Sequence, residues 1–362
     1  FFKHKKPSGV WIMSYTNGLD KPSDYFVTKL YSGNGGTNAQ TGVGFQPDWI
    51  WFKRRDGADN HILFDVVRGV TKGIYSDLTN AEDNLADSLA SFNSDGFTLG
   101  ADTGSGGSIN GSSETNVAWC WKAGTSFTND ASSTGIGTID STGSVSDTAG
   151  FSIVSYTGTG SNGTIKHGLS TVPKIMIVKE RDNANNWFVY HYSLGATKQL
   201  ILQETDAEAS FTATWNDTEP TSSVFSVGTS NGTNRSGGGL IAYCFAEKKG
   251  YSKFGSYTGN GNADGTFVYT GFKPAFLMVK RSSATEDWEI LDNKRLGYNG
   301  ANKQVRPNTN AAENDYAPTD FVSNGFKFRS ANASINGSGT YIFMAFAENP
   351  FVTSTGVPAT AR

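Results

Sequence analysis

Apolar residues occur along this chain in short runs that are rich in β-branched and aromatic residues and that end at Gly, Asn, Asp or Pro. Such runs are typical of β-strands, and none of them continues with the periodicity of an amphipathic helix. The run KIMIVK (residues 174–179) is apolar almost without interruption, which predicts a central strand covered on both faces. The pattern therefore predicts an all-β protein.

One longer pattern occurs three times. A tyrosine opens a glycine-rich turn (YSGNG, YTGTG or YTGNG), a proline then precedes an apolar strand that ends in lysine, and another apolar strand (NVAWCWKAG, LIAYCFAEKKG or YIFMAFAENPF) closes the copy. The tyrosines are Tyr31, Tyr156 and Tyr257, and the lysines are Lys53, Lys179 and Lys280. Self-similarity of this kind indicates one structural unit present in three copies.

The repeat predicts three tandem antiparallel β-sandwich modules of the jelly-roll or lectin-like kind, since one sandwich needs about 100 residues. We name the copies units 1, 2 and 3. The predicted division is a lead-in segment (1–24), unit 1 (25–124), a Ser/Thr/Gly-rich linker or edge strand (125–149), unit 2 (150–250), unit 3 (251–351) and a C-terminal tail (352–362).

Two arrangements of the units are compatible with the pattern. In the first, the units stand in a row and each encloses its own apolar interior. In the second, they close around a common axis as a propeller-like or barrel assembly. Propeller blades run about 40–50 residues, which is shorter than one unit, and this favours the row.

Composition narrows the classes of function. The chain has 362 residues, a net charge of −3 and scattered lysines and arginines, so the basic patch of a nucleic-acid-binding protein is missing. No apolar run approaches the roughly 20 residues that span a bilayer, and we expect no membrane insertion. The chain begins with Phe1, as expected of a processed product or of part of a longer polypeptide.

Two common catalytic patterns are missing from the sequence. The histidines do not have the HExxH spacing of a zinc protease, and no phosphate-binding loop occurs. We therefore expect a non-enzymatic protein with no catalytic residues, no metal site and no cofactor. The turn GNGNADG (259–265) resembles the start of a calcium-binding loop, but Gly271 stands where an EF-hand needs Glu. A calcium loop and a simple turn both remain open.

Cys120 and Cys244 occupy the same place in the closing strands of units 1 and 2. Equivalent positions in separate modules do not normally meet, so the prediction is two buried thiols without a disulfide.

The candidate ligand-binding residues are His61, Trp187 and Trp288, which follow the three repeated lysines at one spacing. Exposed tryptophans stack on sugars, whereas buried ones fill a sandwich interior, and both interpretations stay open. The lysines themselves are interpreted as strand-exit residues with solvated head groups, and a pairing with the acid twelve positions later, Asp65 or Asp292, is left open. His191 takes the same position in unit 2.

The repeated phrases carry a family resemblance. GFQPDWIWFKRRDG, GFSIVSYTGTG, GYSKFGSYTGNGNADGTFVYTGFKPAFLMVKR and YIFMAFAENPF are similar to segments of an uncharacterised repeat family of marine bacteriophage (cyanophage-like) virion proteins. The resemblance covers residues 25 to 351. It implies a structural or tail-fibre-like virion component with a lectin-like sandwich, and it brings no catalytic residues.

These observations lead to one hypothesis and two alternatives. We expect a virion structural protein, a tail fibre, spike or capsid appendage that contacts the host surface through glycan. Its expected partners are other copies of itself, as a trimer or another symmetric assembly, together with other virion proteins and host surface glycan. The first alternative is a purely structural decoration or filament subunit, in which Trp187 and Trp288 are buried. The second is a polysaccharide depolymerase, which requires clustered carboxylates.

Overall fold

The computed structural model describes residues 3–5, 11–13, 19, 21–104, 108–295, 303–315 and 318–350. Within them the chain is all-β with antiparallel sheets, as predicted. In the lead-in, strands β1 (Lys3–Lys5) and β2 (Trp11–Met13) pair with each other, and a 3₁₀ turn (Pro22–Asp24) precedes unit 1. Within the described ranges, no helix has the length and apolar character to cross a membrane.

Unit 1 contains a larger and a smaller antiparallel sheet. Its strands are β3 (Phe26–Ser32), β4 (Asn38–Gln40), β5 (Trp49–Arg54), β6 (Ile62–Asp65), β7 (Lys72–Tyr75), β8 (Asp83–Asn84), β9 (Leu89–Asn93), β10 (Gly96–Leu99) and β11 (Thr115–Trp121). The larger sheet has the order β3-β11-β5-β6-β7-β8, and the smaller sheet has the order β4-β10-β9.

The predicted linker, residues 125–149, lies in a sheet. It forms β12 (Thr125–Asn129), the one-turn helix α1 (Ala131–Thr134) and β13 (Ser141–Ser146). Strand β13 pairs with the first strand of unit 2, and β12 pairs with β13. Of the two predicted forms of this segment, the structure has the edge-strand form.

Unit 2 repeats the larger sheet. Its elements are β14 (Phe151–Thr157), β15 (Gly163–Lys166), β16 (Ile175–Glu180), β17 (Trp187–His191), β18 (Lys198–Ile201), β19 (Ala209–Ser210), α2 (Thr212–Trp215), β20 (Val224–Val227), α3 (Asn231–Asn234) and β21 (Gly239–Phe245). The larger sheet has the order β12-β13-β14-β21-β16-β17-β18-β19, and the smaller sheet consists of β15 and β20. The short helix α2 follows β19 at the place where β9 follows β8 in unit 1.

Unit 3 has the same strand order as unit 1. Its strands are β22 (Ser252–Gly259), β23 (Phe267–Tyr269), β24 (Phe272–Arg281), β25 (Trp288–Asp292), β26 (Lys303–Val305), β27 (Asn314–Asp315), β28 (Thr319–Val322), β29 (Gly325–Phe328) and β30 (Gly339–Pro350). The larger sheet is β22-β30-β24-β25-β26-β27 and the smaller sheet is β23-β29-β28.

The repeated glycine-rich turn is fixed by a buried asparagine. In unit 1, Tyr31 donates its hydroxyl proton to the carbonyl of Ile109 (2.7 Å), and Asn110 donates to Gly36 O (2.7 Å) and accepts from Asn34 N (3.1 Å). The same bonds recur around Tyr156 with Asn234 and around Tyr257 with Asn336. These bonds give the YxGxG motif a purely structural role.

Both glycines of that motif are needed for steric reasons. A Cβ on the first glycine, Gly33 in unit 1, would lie 2.1 Å from the carbonyl oxygen of Gly111, closer than any real contact. The second glycine, Gly35, has φ +67°, in the left-handed region that side chains disfavour. Gly158 and Gly160 of unit 2, and Gly259 and Gly261 of unit 3, meet the same two constraints.

The central strand of each larger sheet is buried on both faces, as the apolar runs predicted. In β5, Ile50 and Phe52 face the smaller sheet of unit 1, whereas Trp49 and Trp51 face the other way. The outward-facing set joins residues of units 2 and 3 in one apolar cluster that contains side chains from all three larger sheets. We call this cluster the shared core.

Aromatic contacts in the shared core join every pair of units. Trp49 stacks on Tyr243 of unit 2 with ring centroids 4.5 Å apart, and Phe26 stacks on Phe346 of unit 3 at 5.3 Å. Phe245 of unit 2 meets Phe346 edge-on at 5.9 Å. The expectation of a row of units, each closing only its own interior, is therefore wrong. The units close around a common axis, because one face of each larger sheet packs against the other two larger sheets.

Backbone hydrogen bonds close the same ring at its perimeter. Glu82 N donates to Arg181 O (2.7 Å), Glu208 N donates to Ser282 O (2.9 Å), and Glu313 N donates to Arg55 O (2.9 Å). These bonds run from unit 1 to 2, from 2 to 3 and from 3 back to 1, and each donor is the residue just before the last strand of a larger sheet.

A shared core predicts that the units unfold together. Replacing Trp49 by Ala removes a fully buried ring from the shared core and should lower the free energy of unfolding by about 3–5 kcal/mol. We expect calorimetry to show one transition at a lower temperature for the whole chain. As a control, Trp215→Ala empties a site in the unit 2 interior instead and should also leave one transition. A variant in which unit 1 melts alone, while units 2 and 3 keep the wild-type midpoint, would contradict the shared core.

Candidate functional site

The three candidate ligand-binding residues lie at the junctions between units. His61, Trp187 and Trp288 expose 0%, 0% and 2% of their surface. Trp187 Nε1 donates to Tyr75 O of unit 1 (2.7 Å), and Trp288 Nε1 donates to Ile201 O of unit 2 (3.1 Å). None of the three rings is accessible to a sugar, so of the two interpretations that the sequence left open, the structure has the buried one.

His61 is the unit 1 version of the same junction. Its Nδ1 accepts a hydrogen bond from Trp51 Nε1 (2.9 Å), and its Nε2 lies near the backbone of Arg306 without normal hydrogen-bonding geometry. Burial and the nearby Lys53 ammonium hold the pKa of His61 well below its usual range. The imidazole is therefore neutral and fills the place of an indole.

The repeated lysines also join neighbouring units. Lys179 Nζ donates to Thr79 O of unit 1 (3.1 Å), Lys280 Nζ donates to Thr205 O of unit 2 (3.0 Å), and Lys53 Nζ donates to Asn310 O of unit 3 (3.2 Å). All three side chains are fully buried. The prediction of solvated head groups is wrong, because each ammonium is buried and donates to backbone carbonyls of its own unit and to one carbonyl of the neighbouring unit. A local sequence window does not show the carbonyl of the neighbouring unit.

Burial lowers the pKa of each of these lysines to about 8. Each ammonium is held by backbone carbonyls, which accept hydrogen bonds but carry no full negative charge to offset the loss of water. The three lysines join neighbouring units, and above about pH 8 the folded protein favours their neutral form.

The residue twelve positions after each lysine caps a turn and contacts the next unit. Asp65 Oδ1 accepts from Val67 N (3.0 Å), and its Oδ2 accepts from Tyr243 of unit 2 (2.8 Å). Asp292 of unit 3 accepts from Trp119 of unit 1 (3.0 Å) in the same way. His191 takes this place in unit 2, where its Nδ1 accepts from Ser193 N (3.1 Å).

Two of the three junctions carry a buried ion network. At the junction of units 1 and 2, Arg68 binds Asp65 (2.5 Å) and Glu82 (3.3 Å), and Glu82 also binds Arg181 (2.8 Å). The junction of units 3 and 1 repeats this network with Asp292, Arg295, Glu313 and Arg55. At the junction of units 2 and 3 the acid and the arginine are replaced together, by His191 and Leu194. Burial lowers the pKa of His191 to about 3, so this junction uses a neutral pair.

The remaining sequence candidates are structural. Cys120 and Cys244 are buried free thiols in separate units, as predicted. In the turn GNGNADG, Asn260 Oδ1 accepts from Asn262 N (3.0 Å) and Asn262 Oδ1 accepts from Asp264 N (2.9 Å), so these oxygens serve the turn. Across the described ranges, no group of three His, Cys, Asp or Glu is placed to hold a metal ion.

One open depression of about 350 Å³ brings two carboxylates together. Asp130 caps α1 by accepting from Ser133 N (3.0 Å), and Asp140 accepts from Ala131 N (2.8 Å). Hydrogen bonds from Ser132 and Ser133 lower the pKa of Asp130. A glycosidase acid needs a raised pKa, which Asp130 does not have, and both carboxylates accept hydrogen bonds from backbone N–H groups of α1.

Sequence reasoning missed an exposed aromatic pair. Phe267 and Tyr269 of β23 expose 46% and 60% of their surface, whereas the candidate residues Trp187 and Trp288 are buried. Both rings lie on the outer face of the smaller sheet of unit 3, since Val268 between them faces the interior of that unit. A comparison of the three copies at outward strand positions would have found this pair.

The comparisons with known proteins add one finding. A family model described as "Domain of unknown function (DUF7483)" matches residues 21–350. No curated protein and no solved structure matches the chain.

The three lysines predict a pH dependence of stability. An unfolded chain holds these protons up to a pKa of about 10.4, whereas the folded chain releases them near pH 8. Since the unfolded state then binds more protons, the free energy of unfolding should rise between pH 8 and 9.5, by up to about 1.4 kcal/mol per pH unit for each lysine. Lys179→Met should reduce this slope by roughly a third in urea titrations, and Lys21→Met, at a side chain that is 75% exposed, should not. A wild-type slope for Lys179→Met would refute the assignment.

The difference between the junctions predicts that a second substitution restores part of the stability lost through a first one. Arg68→Leu leaves Asp65 buried without its cation, whereas Glu82 keeps Arg181, and the change should cost about 3–5 kcal/mol. Adding Asp65→His reproduces the His191 and Leu194 pair of unit 2 and should recover part of that loss. Chemical unfolding of both variants measures the difference, and a double variant less stable than Arg68→Leu alone would contradict the account.

Proposed function

Because the chain belongs to the DUF7483 family, whose description assigns no function, we propose a function from its geometry and from the resemblance of its repeated phrases. The proposal is a non-enzymatic virion structural protein of a bacteriophage, displayed as a tail fibre, spike or capsid appendage that contacts the host surface through glycan. Its location is the extracellular particle.

The ring of three units is the observation that carries this proposal. One chain places three copies of the same pair of sheets around a shared core, and the residues with unusual chemistry (the buried lysines, the Asp–Arg–Glu networks and the tryptophan slots) all hold the copies together. Such an object presents a rigid outer surface. The proposal includes that each unit is a jelly-roll, lectin-like sandwich. The larger and smaller sheets, which enclose an apolar cluster in each unit, support this.

The oligomeric state belongs to the proposal as well. We expect copies of this chain to associate with one another and with other virion proteins, as a trimer or another symmetric assembly. The threefold arrangement inside the chain means that completing the shared core does not require three chains. Association therefore has to use the outer surfaces of the ring.

One specific observation favours the second candidate function, a structural decoration or filament subunit without a ligand. Burial of Trp187 and Trp288 is what that alternative requires. The exposed pair Phe267 and Tyr269 is what separates the two candidates, because it is either a contact for glycan or a contact between subunits.

The virion assignment predicts that the protein is part of purified particles. We expect mass spectrometry of gradient-purified phage that carries this gene to detect the chain at a constant ratio to the major capsid protein. Immunogold labelling should then place it on the tail or on the capsid surface. Detection only in the lysate, with particles free of the chain, would overturn the virion assignment.

A further inference from the structure

Strand β23 lies at the edge of the smaller sheet of unit 3, next to β29. Its residues alternate, as in any strand with one buried face. Val268 packs inward, and Phe267 and Tyr269 point outward with about half of each ring exposed to solvent. Two large aromatic side chains therefore stand side by side on one surface.

The other units show that the fold does not need these rings. Val268 pairs with Phe326, Gln40 pairs with Phe97, and Ile165 pairs with Phe225, which aligns the three strands. The outward residues that correspond to Phe267 and Tyr269 are Ala39 and Thr41 in unit 1, and Thr164 and Lys166 in unit 2. Since small or polar residues serve in two copies of the same strand, the aromatic pair of unit 3 is an addition to the shared architecture.

The backbone around the rings keeps their outer faces open. Gly325 lies directly opposite Tyr269 on β29, and a Cβ there would come 2.0 Å from the carbonyl oxygen of Val268 and 3.1 Å from the Phe267 ring, so the backbone itself requires glycine. Gly271 lies beside the hydroxyl end of Tyr269. Because both residues are glycines, no side chain stands beside the rings at these two positions.

Charged groups border the pair and balance one another. Lys327, opposite Phe267, binds Asp264 (2.7 Å), and Arg329 binds Asp320 and approaches Asp264 (3.6 Å). Two cations and two anions give no net field that would select an acidic or a basic polymer. They do offer donors and acceptors at the rim of an apolar surface.

The size of the surface argues against a protein partner. Three strands of three or four residues cover roughly 10 by 13 Å, whereas a specific protein interface needs about 800 Å² on each partner. A ligand of one or two rings fits this area. It must combine an apolar face with hydroxyl groups at its edge, and a sugar ring has both.

We propose that Phe267 and Tyr269 form a carbohydrate platform that binds two neighbouring sugar rings of a neutral polysaccharide. The C–H faces of the sugars pack on the aromatic rings, which are about 6.8 Å apart along the strand. Sugar hydroxyls then reach Lys327, Arg329 and Asp264. This proposal rests on the proposed contact with host glycan, which it assigns to unit 3 and to neutral sugars.

The test is affinity electrophoresis of the full chain through gels that contain dextran, laminarin, mannan or hydroxyethyl cellulose, with alginate as an acidic polymer. The variant Phe267→Ala/Tyr269→Thr introduces the residues of unit 1 at exposed positions, so the fold should be kept. Phe211→Ala removes an exposed aromatic ring of unit 2 (49% exposed) and is the matched control.

We expect at least one neutral polymer to retard the wild-type chain. The double variant should lose about tenfold in affinity for each ring removed, and Phe211→Ala should bind as the wild type does. The platform is overturned if no neutral polymer retards the wild type, if alginate alone does, or if the double variant binds equally well. Particles that contain the chain, combined with no polysaccharide binding, reject the platform alone. Particles without the chain, combined with binding that the double variant loses, reject the virion assignment alone.

Discussion

The packing of three larger sheets against one another determines everything else in this molecule. Each larger sheet has two apolar faces, and its own smaller sheet covers only one of them. Exposed to water, the inner face with Trp49, Tyr243 or Phe346 would be a large hydrophobic patch, which a stable monomeric unit rarely carries. The three inner faces bury one another, and the ring follows from that requirement.

Burying the junctions has an electrostatic cost that the chain meets in two ways. Lysine ammoniums at the ends of β5, β16 and β24 are placed against carbonyls of the neighbouring unit, so the charge is hydrogen-bonded although it is dry. Acids and arginines form closed networks at two junctions, and a neutral histidine replaces them at the third. The replacement keeps the turn cap while removing both charges, so no buried ion is left alone.

Much of the fold could be predicted from the sequence. The apolar runs predicted an all-β chain and a central strand covered on both faces, and the repeat predicted the recurrence of one strand order. What covers the second face could not be deduced, because a continuous run such as IMIVK looks the same whether its cover comes from its own unit or from a neighbour. Unit length also favoured a row, because it was compared with the length of a propeller blade. A propeller blade is one sheet, whereas each unit of this chain has two sheets.

The candidate binding residues also show what could not be predicted from the sequence alone. Residues that recur, such as Lys179 and Trp187, were natural candidates for binding, yet they recur because every junction of the ring needs them. The residues most open to a ligand, Phe267 and Tyr269, are those that do not recur. In a chain built from copies, repetition reports what the architecture requires, and departures from it are where a separate function is added.

Native-state hydrogen exchange tests the shared core most directly. Amides of β5, β16 and β24, one central strand from each unit, should exchange only through opening of the whole molecule and should report one common free energy. Three different opening free energies, with one unit exchanging while the other two stay protected, would contradict a ring held together by a single core.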